Sequence, residues 1–225
     1  MKALRPEAVD ELVLLGAHCD DIAIGAGGTV LSLCRARPGL RVRVLVLSGG
    51  GTPREAEERG ALEAFCPGAD LAVTVLDMPD GRLPTHWEWA KEALEAFRRT
   101  CEPDLVLAGH RGDDHQDHRG LARLVPTVFR DHLALGYEIL KAEPDLAQPP
   151  VLWPLDPDVV DEKSRLLHEC YPSQVARAWF DDETFRGLAR IRGVQCGHRY
   201  AEGFHPTRMV VGGPLPSGRT ATPST

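Results

Sequence analysis

The chain is predicted to fold as a doubly wound α/β protein, and three observations carry that prediction. Short apolar runs of strand length alternate with amphipathic stretches of helix length from Leu12 to Arg130. The first run is apolar throughout, as expected of a parallel strand covered on both faces. Histidines, carboxylates and glycines then cluster just past the ends of these runs, where open α/β sheets hold their ligands.

Leu12–Ala17 (LVLLGA) is the first strand. Gly25–Gly28 reads as a turn, and Thr29–Arg35 as a helix with Thr29 as its cap. Arg41–Leu47 is a β-branched strand. A helix then runs from Pro53 to about Phe65, with Thr52 as cap and proline at its first position. Leu71–Leu76 is strand, Trp87–Arg99 helix, Asp104–Ala108 strand and His118–Arg130 helix. Four β-then-α units in succession imply a mostly parallel sheet with helices on both faces, a Rossmann-like arrangement. Beyond Gly136 the alternation weakens. A proline-rich stretch, a short strand at Val159–Val160 and helices near Asp161–Glu169 and Asp182–Arg192 read as a small C-terminal cap region on the same domain.

Size and charge narrow the function classes. The 225 residues fit one domain, taken as residues 1–211, with a Gly/Pro/Ser/Thr-rich tail at 212–225 expected to be flexible. Lys and Arg number 26 against 33 Asp and Glu, a net charge of −7. An acidic balance argues against nucleic acid or an anionic membrane surface as partner. Leu12–Ala17 is too short for a membrane span or a signal segment. Six widely spread cysteines, without a CxxC, read as reduced thiols of a cytoplasmic protein. Self-association is left open.

Two clusters carry the chemistry. His18, Asp20 and Asp21 follow the first strand; His110, Asp113, Asp114, His115, Asp117 and His118 follow the fourth. A catalytic zinc takes three N/O ligands and keeps one position open. His18 and Asp21 can supply two of them, and either His115 or His118 a third while the other faces the open position. Each residue taken alone has a plainer reading as a structural histidine, a turn or a helix cap. The conjunction of two such clusters on strand ends favours the metal. Gly25-Ala26-Gly27-Gly28-Thr29 invites a dinucleotide reading, but the glycines stand too far from the first strand. The acidic marker expected about 20 residues on falls in an apolar strand. These glycines read better as allowing close helix packing. His86, His132, His168, His205 and Cys196-Gly197-His198 read as structural, with His110 nearer the site.

With both clusters in view, the chain resembles the PIG-L/LmbE-like family of zinc-dependent N-acetylglucosamine deacetylases. That family's AHPDD motif and following GGT stand here as AHCDD (17–21) and GAGGT (25–29), and its HPDH as HQDH (115–118). Weaker echoes are Arg54-x-x-Glu57, Pro79-Asp80-Gly81, Lys163 with Ser173-Gln174, and Glu202-x-Phe204, so the resemblance spans about residues 10 to 210. Cys19 and Gln116 replace prolines, and Ile22-Ala23 lacks the acid that often follows the Asp pair. A thiol beside zinc can ligate it, but the neighbouring positions already satisfy the motif.

The resemblance implies His18, Asp21 and His118 as ligands of Zn2+, with Fe2+ or another divalent ion as alternatives. It implies Asp20 as general base and His115 as the group that stabilises the oxyanion or protonates the leaving amine. Asp117 is expected to accept from the second nitrogen of His115, and Arg54 and Asp80 to line the sugar site. The reaction expected is removal of the N-acetyl group from a small amino-sugar conjugate, releasing acetate and a free amine. The alternatives are an amidase acting on a larger acyl group, a nucleotide-binding enzyme such as a methyltransferase, and a non-catalytic sugar-binding protein.

Overall fold

A computed structural model describes residues 9–210; the expected tail at 212–225 lies outside the described residues. Seven strands, β1 (Glu11–Gly16), β2 (Arg41–Val46), β3 (Asp70–Val75), β4 (Leu105–Gly109), β5 (Leu133–Tyr137), β6 (Val151–Leu155) and β7 (Tyr200–Pro206), form one sheet in the order β3-β2-β1-β4-β5-β7-β6. The first five are mutually parallel, and β7 runs antiparallel to both its neighbours. Six helices flank it: α1 (Asp21–Ala36), α2 (Pro53–Phe65), α3 (Trp87–Arg98), α4 (Gln116–Val128), α5 (Pro157–Cys170) and α6 (Asp182–Cys196). The doubly wound, mostly parallel sheet is therefore as the sequence predicts.

The period-two geometry of the strands divides the interior into two cores. Leu12, Leu14, Val42, Val44 and Val46 face the layer of α1, α2, α5 and α6, where Ile22, Leu62, Leu167 and Phe185 meet them. Val13, Leu15, Leu45 and Leu47 face α3 and α4, against Ala90, Leu94, Leu121 and Leu124. Burial on both faces explains why β1 carries no polar alternation.

Three features differ from the sequence expectations. The C-terminal region adds β6 and β7 to the sheet edge rather than sitting over it as a cap alone, and β5 precedes them. Val159 and Val160 belong to α5, not to a strand. Pro157 opens that helix, and Val159, Val160, Lys163, Ser164, Leu166 and Leu167 form its buried face at helical spacing. Lastly, α1 begins at Asp21, eight residues before the expected Thr29, so Gly25–Gly28 are helical.

The glycines lie inside a helix because its surroundings leave no room for side chains. A Cβ on Gly25 would run into the Tyr137 ring, and one on Gly28 would stand 2.6 Å from Leu155. A buried ion pair also reaches into the helix backbone here. Lys163 Nζ donates to the Ile24 carbonyl at 2.6 Å and to Glu202 at 2.7 Å. The Glu202 carboxylate accepts from the Gly28 and Thr29 amides at 2.8 and 2.7 Å. The Ile24 carbonyl and Gly28 amide are partners in a regular helical ladder; here each engages one member of the pair. GAGGT, Lys163 and Glu202 thus form one packing device.

Candidate active site

The strand order reverses between β1 and β4, which pair in parallel and send their connections to opposite sides. At such a switch point the two C-terminal loops part and leave a crevice. The β1 loop delivers His18, Asp20 and Asp21, and the β4 loop delivers Asp113, His115, Asp117 and His118. His18, Asp20, Asp21, His115 and His118 line a cavity of about 760 Å³, together with Arg54 and Asp80 from beyond β2 and β3.

His18 Nδ1 lies 3.0 Å from His118 Nε2. The Asp21 carboxylate is 3.2 Å from His118 Nε2 and 3.6 Å from His18 Nδ1. Donors on a tetrahedral ion with bonds of about 2.0–2.1 Å stand about 3.3 Å apart. The His18–His118 separation and that from His118 to Asp21 Oδ1 are close to this, while the 3.6 Å approach to His18 is made by the other Asp21 oxygen, Oδ2. The far side of each ring is equally telling. His118 Nδ1 faces Asp113 at 3.0 Å, and His18 Nε2 faces Asp117 at 3.1 Å and Asp80 at 3.0 Å. Carboxylates there favour keeping the ring hydrogens on those nitrogens when the imidazoles are neutral, which would leave His18 Nδ1 and His118 Nε2 free to ligate, the arrangement of metal-ligating histidines. Asp21 is fixed by the Ala17 and His18 amides, at 3.0 and 2.8 Å. The donor set thus fits a divalent ion. Two overlapping groups have ligand atoms within 4.8 Å of one another, His18 with His115 and His118, and His18 with Asp80 and Asp117; the expected ligand Asp21 belongs to neither.

The electrostatics follow from burial and neighbours. Burial opposes charge on His118, but Asp21 and Asp113 outweigh it and push its pKa up to about 9. His18 is likewise raised, against burial, by Asp21, Asp117 and Asp80. Asp21 is held well below the carboxylate range, again against burial, by those two imidazoles. Asp20 moves the other way. Burial and the Asp21 charge raise it to about 7, opposed by Arg54.

Asp20 is the sole non-glycine residue with positive φ among the described residues, at 100°. Such a conformation costs about 1–3 kcal/mol and persists only where surrounding contacts impose it. Two do so. Arg54 binds the Asp20 carboxylate at 2.8 Å and also the Cys19 carbonyl. Glu58, fully buried on α2, accepts the Asp20 amide at 2.9 Å and the Tyr171 hydroxyl at 2.7 Å. Sequence reasoning missed Glu58. Its signal was an acid on the buried stripe formed with Ala61, Leu62 and Phe65.

The other expected residues fall as follows. His115 caps α4, its Nδ1 accepting the Asp117 amide at 3.3 Å, and its ring packs near both His18 and His118. Burial and those two neighbouring imidazoles lower its pKa. The Asp117 carboxylate holds His18, not His115 as expected, because the first turn of α4 directs it at the Gly81 and Leu83 amides, 2.7 and 3.0 Å away. Asp80 lines the cavity with its side chain exposed. Arg54 also lines it, with its terminal nitrogens engaged by Asp20, Glu57, Ser173 and the Cys19 carbonyl. The Cys19 thiol points to the Ser48 carbonyl at 3.5 Å and joins neither candidate metal group. His110 stacks on His205, 4.7 Å between centroids, beside a separate cavity.

A family model described as PIG-L: GlcNAc-PI de-N-acetylase matches residues 13–129, just over half of the chain. The chain belongs to the PIG-L family. That stretch contains both loops of the site, so the deacetylase family's matched region and the convergent histidines coincide. The diacetylchitobiose deacetylase of Thermococcus kodakarensis is 28% identical over 227 residues, covering 87% of this chain and 82% of that protein. The conserved protein TT1542 from Thermus thermophilus superposes with a TM-score of 0.71 at 25% identity, over 94% of this chain and 100% of that one. The N,N'-diacetylchitobiose deacetylase from Pyrococcus horikoshii, solved with its inhibitor MPG, gives 0.68 at 22% identity over 88% and 84%, a likeness of fold. No described helix of this PIG-L protein is long and apolar enough to cross a membrane.

Proposed function

We propose that this PIG-L protein hydrolyses the N-acetyl group of an N-acetylglucosamine-type conjugate, giving acetate and the free amine. The observation that carries the reading is the meeting of His18 Nδ1, His118 Nε2 and the Asp21 carboxylate, each braced from behind, on the floor of an open cavity. These three residues would hold the divalent ion, Zn2+ in our reading. When bound, such an ion polarises an amide carbonyl and makes water a stronger acid.

The remaining roles belong to side chains. Asp20, held in place by Arg54 and Glu58, takes the proton of the attacking water. His115 accepts a backbone amide on Nδ1, so in its neutral form its hydrogen is on Nε2. That N–H donates to the oxyanion as the carbonyl becomes tetrahedral. As the C–N bond breaks, the amine leaves with the proton gathered by Asp20. Asp117 and Asp113 fix the two ligand imidazoles, and Asp80 offers a carboxylate to sugar hydroxyls.

Two observations weaken the alternatives. A nucleotide-binding turn is unsupported, since Gly25–Gly28 are helical and the Gly28 and Thr29 amides are taken by Glu202. The relatives named as diacetylchitobiose deacetylases favour acetyl over a larger acyl group. The test is release of free amine from a panel of N-acetylated sugars by purified protein. We expect turnover that is abolished by chelator and restored by zinc. Turnover insensitive to metal removal would reject the proposed centre.

A further inference from the structure

Helix α6 has two unlike sides. Phe185, Ala189, Arg192 and Gly193 face inward and are buried. On the outer side Glu183, Gly187, Arg190, Ile191 and Val194 are exposed, and their three- and four-residue spacing makes one stripe of them. Within that stripe Ile191 is 52% exposed and Val194 61%, although both are apolar. Gly187 leaves a gap beside them, since a Cβ there would meet nothing within 4 Å.

The charges on this face are uncommitted. On the neighbouring α5, exposed Asp161 pairs with Arg186, and Arg165 pairs with Glu162 and Glu169. Glu183 at the start of α6 forms no ion pair among the described residues, and neither do Arg190, His198 or Arg199 toward and just past its end. Arg190 donates only to the Arg199 carbonyl, at 3.2 Å, and the Arg199 guanidinium lies over the Tyr200 ring. The stripe is therefore acidic at one end, basic at the other and apolar between.

Such a stripe is complementary to itself when reversed. Two α6 helices can pack antiparallel about a two-fold axis with Gly187 of one against Val194 of the other. The same register sets Arg190 against Ile191 and Glu183 against His198, because all three pairs share a midpoint between Arg190 and Ile191. Val194 then fills the space that Gly187 leaves, and the Arg190 stem covers Ile191. Glu183 meets the cations at the far end of its partner, and the opposed helix dipoles favour the same arrangement.

We propose that this face of α6 is the contact of an isologous homodimer, its occupant being α6 of a second copy of this chain. A single helix pair covers less than the roughly 800 Å² per partner of a standard interface, so the dimer dissociates in the micromolar range. No residue of α6 lines the catalytic cavity, so the dimer leaves that cavity open.

Sedimentation velocity of the full chain over about 1 to 100 µM should show a reversible monomer–dimer equilibrium. V194E places a charge in the apolar centre and should leave monomer throughout that range. E183R and R199E should each raise the dissociation constant about tenfold, since a reversal acts twice across the two-fold axis. Combined in one chain, the two reversals should return it to within about threefold of wild type, a rescue that a folding defect would not produce. A wild type that remains monomeric at the highest concentration overturns the proposal. So does a dimer that V194E leaves intact, or a pair of reversals that do not rescue one another.

Discussion

Replacing Glu58 by glutamine tests the buried network beneath Asp20 without touching the cavity. Glu58 is fully buried, with Oε2 accepting two hydrogen bonds and Oε1 accepting none. Burial raises its pKa from 4.5 to about 7, against the Tyr171 and Asp20 hydrogen bonds that favour the anion. The folded chain therefore binds more protons at this site than the unfolded chain between those two values. Wild-type stability must then fall as pH rises through that window. A tenfold change in proton concentration is worth about 1.36 kcal/mol per proton, so the loss between about pH 5 and pH 8 integrates to about 2.5 kcal/mol. Glutamine has the same shape and no charge. Its fixed cost, an amide group where Oε1 stands, is the same at both pH values. Urea denaturation of metal-free wild type and E58Q at about pH 5 and pH 8 should show the difference moving toward the variant by about that amount. A difference independent of pH would mean that Glu58 is not a buried acid titrating near neutrality, and that the account of how Asp20 is held is wrong.

Asp20→Asn should keep zinc and lose turnover by at least about 100-fold; turnover near wild type would remove Asp20 as base. His118→Ala should lower zinc stoichiometry, and an undiminished zinc content by elemental analysis would exclude it as a ligand. Asp113→Ala leaves the His118 Nδ1 hydrogen without its carboxylate and should weaken zinc binding about 10- to 100-fold in competition with a chromophoric chelator. Gly25→Ala drives a methyl group into Tyr137, whose hydroxyl is tied to the Leu15 carbonyl at 2.7 Å and cannot retreat. Net destabilisation of about 1–3 kcal/mol should appear in the urea midpoint, despite the better helix propensity of alanine.

Much of the fold was legible because it rests on local patterning. β1 to β4 and α2 to α4 lie within about two residues of their sequence positions, since an apolar run and a capped amphipathic stretch identify themselves. α1 was misjudged because glycine is a poor helix former, and the reason for tolerating four small residues there lies in Tyr137, Phe65 and Leu155, far away along the chain. The edge strand β6 and its inner neighbour β7 were invisible for a related reason. Val151–Leu155 contains a proline and is partly exposed, so its pairing with β7 depends on a neighbour that only folding supplies.

The same division runs through the site. The residue types and their places after β1 and β4 were set by the sequence alone, because in a parallel sheet every strand end points to one rim. That two such loops meet was implied by strand order. Which nitrogen of His18 or His118 faces the centre was not, because ring orientation depends on the carboxylates behind it, and for His18 these come from distant loops. The partner of Asp117, the engagement of Arg54 and the whole role of Glu58 were likewise decided by tertiary structure. Apart from the Arg54–Glu57 pair, three residues apart, those contacts join residues 34 to 119 apart in sequence, and no local spacing encodes them.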